Sequence, residues 1–122
     1  MKYTQLDVWK RSSNLTCQIY KELKNCKDYG FKDQITRSAL SIPSNIAEGE
    51  ERETAKESTR FLYYSKGSAG ELITQLYIGI KIGFIDKQIG LDFINEVEQI
   101  ASMLGAMIKK RTGLPLKQKF NK

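Results

Sequence analysis

The sequence predicts an all-α protein, an antiparallel up-and-down four-helix bundle. Three observations predict it. Apolar residues recur at spacings of three and four through four long segments, no segment shows the alternation of a strand, and each segment is closed by a short polar, glycine- or proline-bearing break. The chain has 122 residues, of which 40% are apolar and 28% charged, enough to fold around one core.

The first segment, from about Leu6 to Asn25, places Val8, Ser12, Leu15, Ile19, Leu23 and Cys26 on one stripe, with Trp9 and Tyr20 beside it. Asp28-Tyr29-Gly30 reads as its stop, because glycine readily adopts the left-handed conformation that ends a helix. The second segment, from about Asp33 to Glu48, carries Ile35, Ala39, Ile42 and Ile46 in heptad-like order. Pro43 falls inside it and removes one backbone donor, so a kink is expected there, with the apolar register continuing across it. Gly49, followed by Glu50, Glu51 and Arg52, reads as a polar turn.

The third segment, from about Thr54 to Gly83, is roughly 45 Å long if unbroken. Leu62, Ser65, Ala69, Leu72, Leu76, Gly79 and Gly83 form one stripe, and Ile73, Tyr77, Ile80 and Phe84 a second. The fourth, from about Lys87 to Arg111, repeats this with Ile94, Val97, Ala101, Leu104 and Ile108, flanked by Phe93, Ile100 and Met107. Thr112-Gly113-Leu114-Pro115 ends it by the glycine-then-proline pattern of a helix C-terminus. The expected organisation is therefore a bundle over residues 1–113 and a basic, flexible tail over 114–122. Two double-striped helices have more apolar surface than one core needs, which predicts a homo-oligomer that covers the rest.

Several chemistries are excluded by residue type. The chain contains no histidine, which removes the Ser-His-Asp triad and the Glu-x-x-His repeats of di-iron bundles. Cys17 and Cys26 lie nine residues apart on one expected helix, about 13 Å along its axis and on opposite faces, so neither a disulfide nor a zinc site is expected. No phosphate-binding loop or dinucleotide fingerprint is present. Gly67-Ser68-Ala69-Gly70 lies within a heptad stripe and reads as close helix packing. The expectation is a protein that is not an enzyme and needs no cofactor or metal. The opening residues lack the apolar core of a signal peptide, and no stretch approaches the roughly 18 apolar residues of a membrane span. A cytoplasmic protein without a membrane partner is expected.

Two groups of polar residues remain as candidate sites. Arg37, Ser41, Asn45 and Glu48 in the second segment and Glu71 in the third are expected to form a polar network that fixes helix pairing or subunit register. The alternative reading of such carboxylates and hydroxyls is a small acid/base site. The second group is electrostatic. Residues 1–108 hold 14 basic and 14 acidic side chains, so the whole net charge of +6 comes from Lys109, Lys110, Arg111, Lys117, Lys119 and Lys122. Such a cluster offsets the negative end of a helix dipole, and it also suits a phosphate backbone, the more so when several subunits pool it. The expected partners are RNA or DNA and further copies of the chain; the competing expectation is a protein-interaction scaffold without nucleic acid.

Asp33-Gln34, the run Ser41-Ile42-Pro43-Ser44-Asn45-Ile46-Ala47-Glu48-Gly49, the run from Phe61 to Leu72, and Gln75-Leu76 carry a family resemblance. The chain resembles the bacterial four-helix-bundle proteins whose founding members are encoded in intervening sequences of 23S ribosomal RNA genes. The resemblance implies a ring-like homopentamer. A related protein, the accessory variability determinant of diversity-generating retroelements, implies contact with nucleic acid and with a nucleic-acid enzyme such as a reverse transcriptase. Where many relatives have alanine and arginine before the Gly-Ser of the third helix, this chain has Ser65-Lys66, and lysine cannot form the bidentate contacts of arginine.

Overall fold

The computed structural model describes residues 2–113. A 3-10 turn at Lys2–Gln5 leads into four helices, α1 (Asp7–Glu22), α2 (Tyr29–Glu50), α3 (Ala55–Lys81) and α4 (Lys87–Thr112). No strand occurs among the described residues. Each helix runs antiparallel to the next. Thr16 meets Ala39 across α1 and α2, Ser65 meets Ile42 across α2 and α3, and Arg111 near the end of α4 meets Ser58 near the start of α3. One core fills the centre, with Leu15, Ile19, Ile35, Ile42, Ile46, Leu62, Leu72, Leu76, Ile100 and Leu104 at 2% exposure or less. No helix of the described residues is long and apolar enough to cross a membrane.

Three of the helices, α2, α3 and α4, start on side-chain caps, whereas α1 follows Leu6 without one. Asp28 accepts a hydrogen bond from the Phe31 amide (3.1 Å), Thr54 from Glu57 (3.1 Å) and Asp86 from Ile89 (3.0 Å), each satisfying an amide that has no partner within its own helix. At the other end Gly83 (φ 83°) follows α3 and Gly113 (φ 72°) closes α4 in the left-handed conformation.

Two sequence expectations are corrected here. Asp28-Tyr29-Gly30 is not the stop of α1, which ends at Glu22 with the Leu23 amide bonded to Ile19. Asp28 instead begins α2, because its carboxylate satisfies a first-turn amide, and Gly30 lies inside that turn at negative φ. Gly49 is not part of a polar turn. It is buried within α2, where a Cβ would come within 3.0 Å of the Ser58 carbonyl oxygen and 3.2 Å of the Phe61 Cβ. Glycine is needed at this position for the close approach of α2 to α3, and the turn follows it, at 51–53.

α2 continues through Pro43, which has no amide hydrogen to give the Ala39 carbonyl. The Thr16 hydroxyl, reaching across from α1, supplies a donor to that carbonyl at 3.0 Å while also approaching the Ser12 carbonyl at 2.8 Å. Next to this point the Ser65 hydroxyl, fully buried, donates to the Ile42 carbonyl at 2.8 Å. Hydroxyls on both neighbouring helices thus bind backbone carbonyls of α2 in the turn that precedes its proline.

The second apolar stripes also divide differently from the expectation. In α4 Ile100 is wholly buried and Phe93 and Met107 pack half-buried against the core, so this helix has little apolar surplus. In α3 Ile73 and Ile80 are half-buried, but Tyr77 is 54% exposed. The surplus belongs to α3.

Candidate functional site

The residues expected to form a polar network lie along the outer groove between α2 and α3, and the structure joins only some of them. Ser41 donates to the Ser68 hydroxyl of α3, and Asn45 Nδ2 donates to the Ser41 carbonyl at 2.9 Å. Arg37 pairs instead with Asp33 one turn earlier (2.9 Å), both well exposed, and Glu48 pairs with Arg52 one turn later. Glu71 is exposed and pairs with no cation among the described residues. Pairs one turn apart on an exposed helix contribute only a few tenths of a kcal/mol, about 0.3–0.5, so the Ser41–Ser68 contact is the part that ties two helices, with Asn45 bonding back within α2. Gln75, also in this groove, has its Oε1 buried with no hydrogen-bond partner among the described residues.

Of the basic group, Lys109 and Lys110 are exposed in the last turn of α4. Arg111 is not free. Its Nη1 donates to Glu50 (2.5 Å) and to the Ser58 hydroxyl (2.7 Å), tying α4 to α2 and α3 with both charges more than two-thirds buried. Lys117, Lys119 and Lys122, like the expected tail 114–122, lie outside the described residues. The contact with Glu50 also fixes which end of the bundle carries this group. It is the end of the bundle that carries the α2–α3 turn, with Glu48 and Glu50 in the last turn of α2 and Glu51 and Glu53 just after it.

One tie between helices was not read from the sequence. Arg11 of α1 grips Glu96 of α4 through two hydrogen bonds (Nε to Oε2 2.9 Å, Nη2 to Oε1 2.6 Å) and also donates to Gln99 (2.7 Å). The Glu96 hydrogen bond raises the pKa of Arg11 further above its ordinary range. Both residues look like surface charges in the sequence, and only the crossing of α1 over α4 makes them partners. Beside this clamp a groove of about 420 Å³ between α1 and α4 is lined by Asn14, Gln18, Asp92 and Phe93 among others.

The outer face of α3 is the most distinctive surface. Tyr63, Gly67, Gly70, Thr74 and Tyr77 recur at spacings of four and three along it, with Tyr64 and Ile78 alongside. Tyr63 and Tyr64 are 50% exposed, Tyr77 54% and Ile78 49%. A Cβ on Gly67 or Gly70 would meet no atom of another side chain or helix within 4 Å among the described residues, so the expected close packing at these glycines is absent there. Between Tyr63 and Ile78 only Lys66 and Glu71 are charged.

Comparison with known proteins follows the same architecture. A family model described as 23S rRNA-intervening sequence protein matches residues 4–106. The structure is similar to a solved structure from Bacteroides thetaiotaomicron, described as a protein with unknown function from the S23 ribosomal protein family. The two share 24% identity and a TM-score of 0.80, over 84% of this chain and 98% of that one. At that identity the likeness shows the fold alone. No curated protein matches.

Proposed function

We propose that this chain, which belongs to the family of 23S rRNA-intervening sequence proteins, is a non-catalytic bundle that assembles with copies of itself and associates with RNA or DNA. The observation that carries the reading is the outer face of α3. Glycine inside an exposed helix costs about 1 kcal/mol relative to alanine, and here two glycines carry that cost with nothing above them among the described residues. Flanked by half-exposed tyrosines and an isoleucine, they form a flat, weakly charged track that lets a second backbone approach closely. A ring of five copies is the assembly proposed, and a bend of α2 at Pro43 would set how neighbouring copies meet.

Association with nucleic acid is supported by the lysines. The five ion pairs among the described residues all use arginine, which leaves the lysines without carboxylate partners there. Repetition around a ring multiplies that charge, and neutralising phosphates releases counterions.

Light scattering on the purified chain tests the assembly. The expected mass is a multiple of 14.0 kDa, and Tyr77→Lys, which places a charge on the track, is expected to lower it to the single-chain value with helicity unchanged. A wild-type chain that stays at 14.0 kDa at micromolar concentration and above ends the reading. A protein partner recovered after nuclease treatment, with no binding of oligonucleotides at low salt, would favour the scaffold reading instead.

A further inference from the structure

We infer that unpaired nucleic acid is held at the end of the bundle opposite Lys109 and Lys110, on the tip formed by the α1–α2 and α3–α4 connections. Exposed lysines there take the phosphates, and Tyr29 and Phe84 take the bases. This rests on the nucleic-acid reading above and moves its site away from the C-terminus.

The two connections form one surface. Phe31, in the first turn of α2, packs edge-on against Phe84 of the α3–α4 connection with ring centroids 5.3 Å apart. Lys32 donates to the Lys24 carbonyl at 3.2 Å and holds the α1–α2 connection against the start of α2. Around this tip Lys21, Lys24, Lys27, Lys81 and Lys87 are all exposed, and none has a carboxylate partner among the described residues. Four acidic residues share the end, and three are engaged. Asp28 and Asp86 accept amides of the first turns of α2 and α4, where the helix dipoles offset their charge, and Asp33 pairs with Arg37. Only Glu22 is left. At the other end of the bundle Lys109 and Lys110 share their end with a turn rich in glutamate.

Exposed rings set apart what this tip can bind. Tyr29 is 72% exposed and Phe84 38%, with Ile82 at 52% beside them. Base stacking needs a free base face, which an unpaired strand offers and a duplex does not. Phe84 is braced by Phe31, so little freedom is lost when a base settles on it. An anionic membrane would also attract the lysines. Binding at a membrane interface, however, depends on a broad apolar face that sinks below the headgroups, whereas in the two connections themselves and the first residue of α2 the large exposed apolar side chains are Tyr29, Ile82 and Phe84, interspersed with lysines, and Phe84 is braced by Phe31.

The test is fluorescence anisotropy on the full chain with a labelled oligouridine RNA of about 12 nucleotides, within the range of single-strand sites. A duplex of equal length and phosphatidylserine–phosphatidylcholine vesicles are the comparison probes. The combined variant Lys24→Gln, Lys27→Gln, Lys81→Gln, Lys87→Gln is expected to weaken oligouridine binding at least tenfold and to flatten its salt dependence. Each lost phosphate contact removes about 0.7 from the log–log slope. Tyr29→Ala is expected to weaken it about fivefold or more, the effect of one lost stacking partner. Lys109→Gln with Lys110→Gln is expected to change it less than twofold. All seven positions are exposed, and circular dichroism and light scattering check that fold and assembly are intact. Wild-type binding that the tip variants leave unchanged overturns this inference and spares the broader reading. No binding of any oligonucleotide by the wild type overturns both. Tip-dependent binding of vesicles without oligouridine binding, or a preference for the duplex, also overturns it.

Discussion

Pro43 shows how one residue is tolerated where its own chemistry argues against it. Proline in a helix interior costs about 3 kcal/mol, part of it the unmade bond to the carbonyl four residues earlier. Here that carbonyl, Ala39, receives the Thr16 hydroxyl, so the penalty is shared with α1. Thr16→Val keeps shape and burial but leaves the carbonyl without that donor, and is expected to lower stability by about 1–3 kcal/mol in urea denaturation. With Pro43→Ala in the same chain the alanine amide replaces the donor. The loss from Thr16→Val should then fall to less than half, a coupling measurable by a double-mutant cycle. Additive losses would show that the Thr16 hydroxyl serves something other than the proline. The sequence makes Pro43 conspicuous but hides its partner, because nothing local marks Thr16 as the residue that α1 brings opposite Ala39.

At the level of the element, the apolar stripes were legible and the ends of α1 and α2 were not. Val8, Leu15, Ile19, Ile35, Ile42, Leu62, Leu72, Ile94 and Leu104 all lie in the core as their spacing requires, since burial of a face is what creates the period. Boundaries depend on competition between neighbouring signals. At 28–30 an aspartate cap and a glycine stop lie within three residues, and the cap prevails. Gly49 looked like a turn because acidic residues follow it, although its role is contact with α3. The two glycines should therefore respond oppositely to the same change. Gly30→Ala, with negative φ and only the Asp28 side chain 3.7 Å from the new Cβ, is expected to be neutral or to stabilise by up to about 1 kcal/mol. Gly49→Ala forces the Ser58 backbone away and is expected to destabilise by about 1–3 kcal/mol. Asp28→Ala should cost about 1 kcal/mol. Thermal unfolding of the three variants gives the order; equal effects at Gly30 and Gly49 would contradict the assigned roles.

For the whole molecule, the candidate surfaces were legible only as composition. Net charge directs attention to the C-terminus, but folding puts Lys109 and Lys110 at the end of the bundle that carries the glutamate-rich α2–α3 turn, withdraws Arg111 into an ion pair, and gathers lysines distant in sequence at the other tip. The outer face of α3 was hidden likewise, because Gly67 and Gly70 sit in a heptad pattern whether a helix of the same chain or of another copy covers them. The two cases respond oppositely to alanine. On a face that stays open, Gly67→Ala with Gly70→Ala adds helix propensity alone, about 1 kcal/mol per site, and raises the melting temperature at every protein concentration. On a face against which a second backbone packs, the new methyl groups hold the copies apart. The wild type should then show a melting temperature that rises with protein concentration, as mass action requires of an assembly. The double variant should melt higher than the wild type in dilute solution and lose most of that concentration dependence. A double variant that gains stability equally at all concentrations and keeps the wild-type mass would place the contact between copies on another surface.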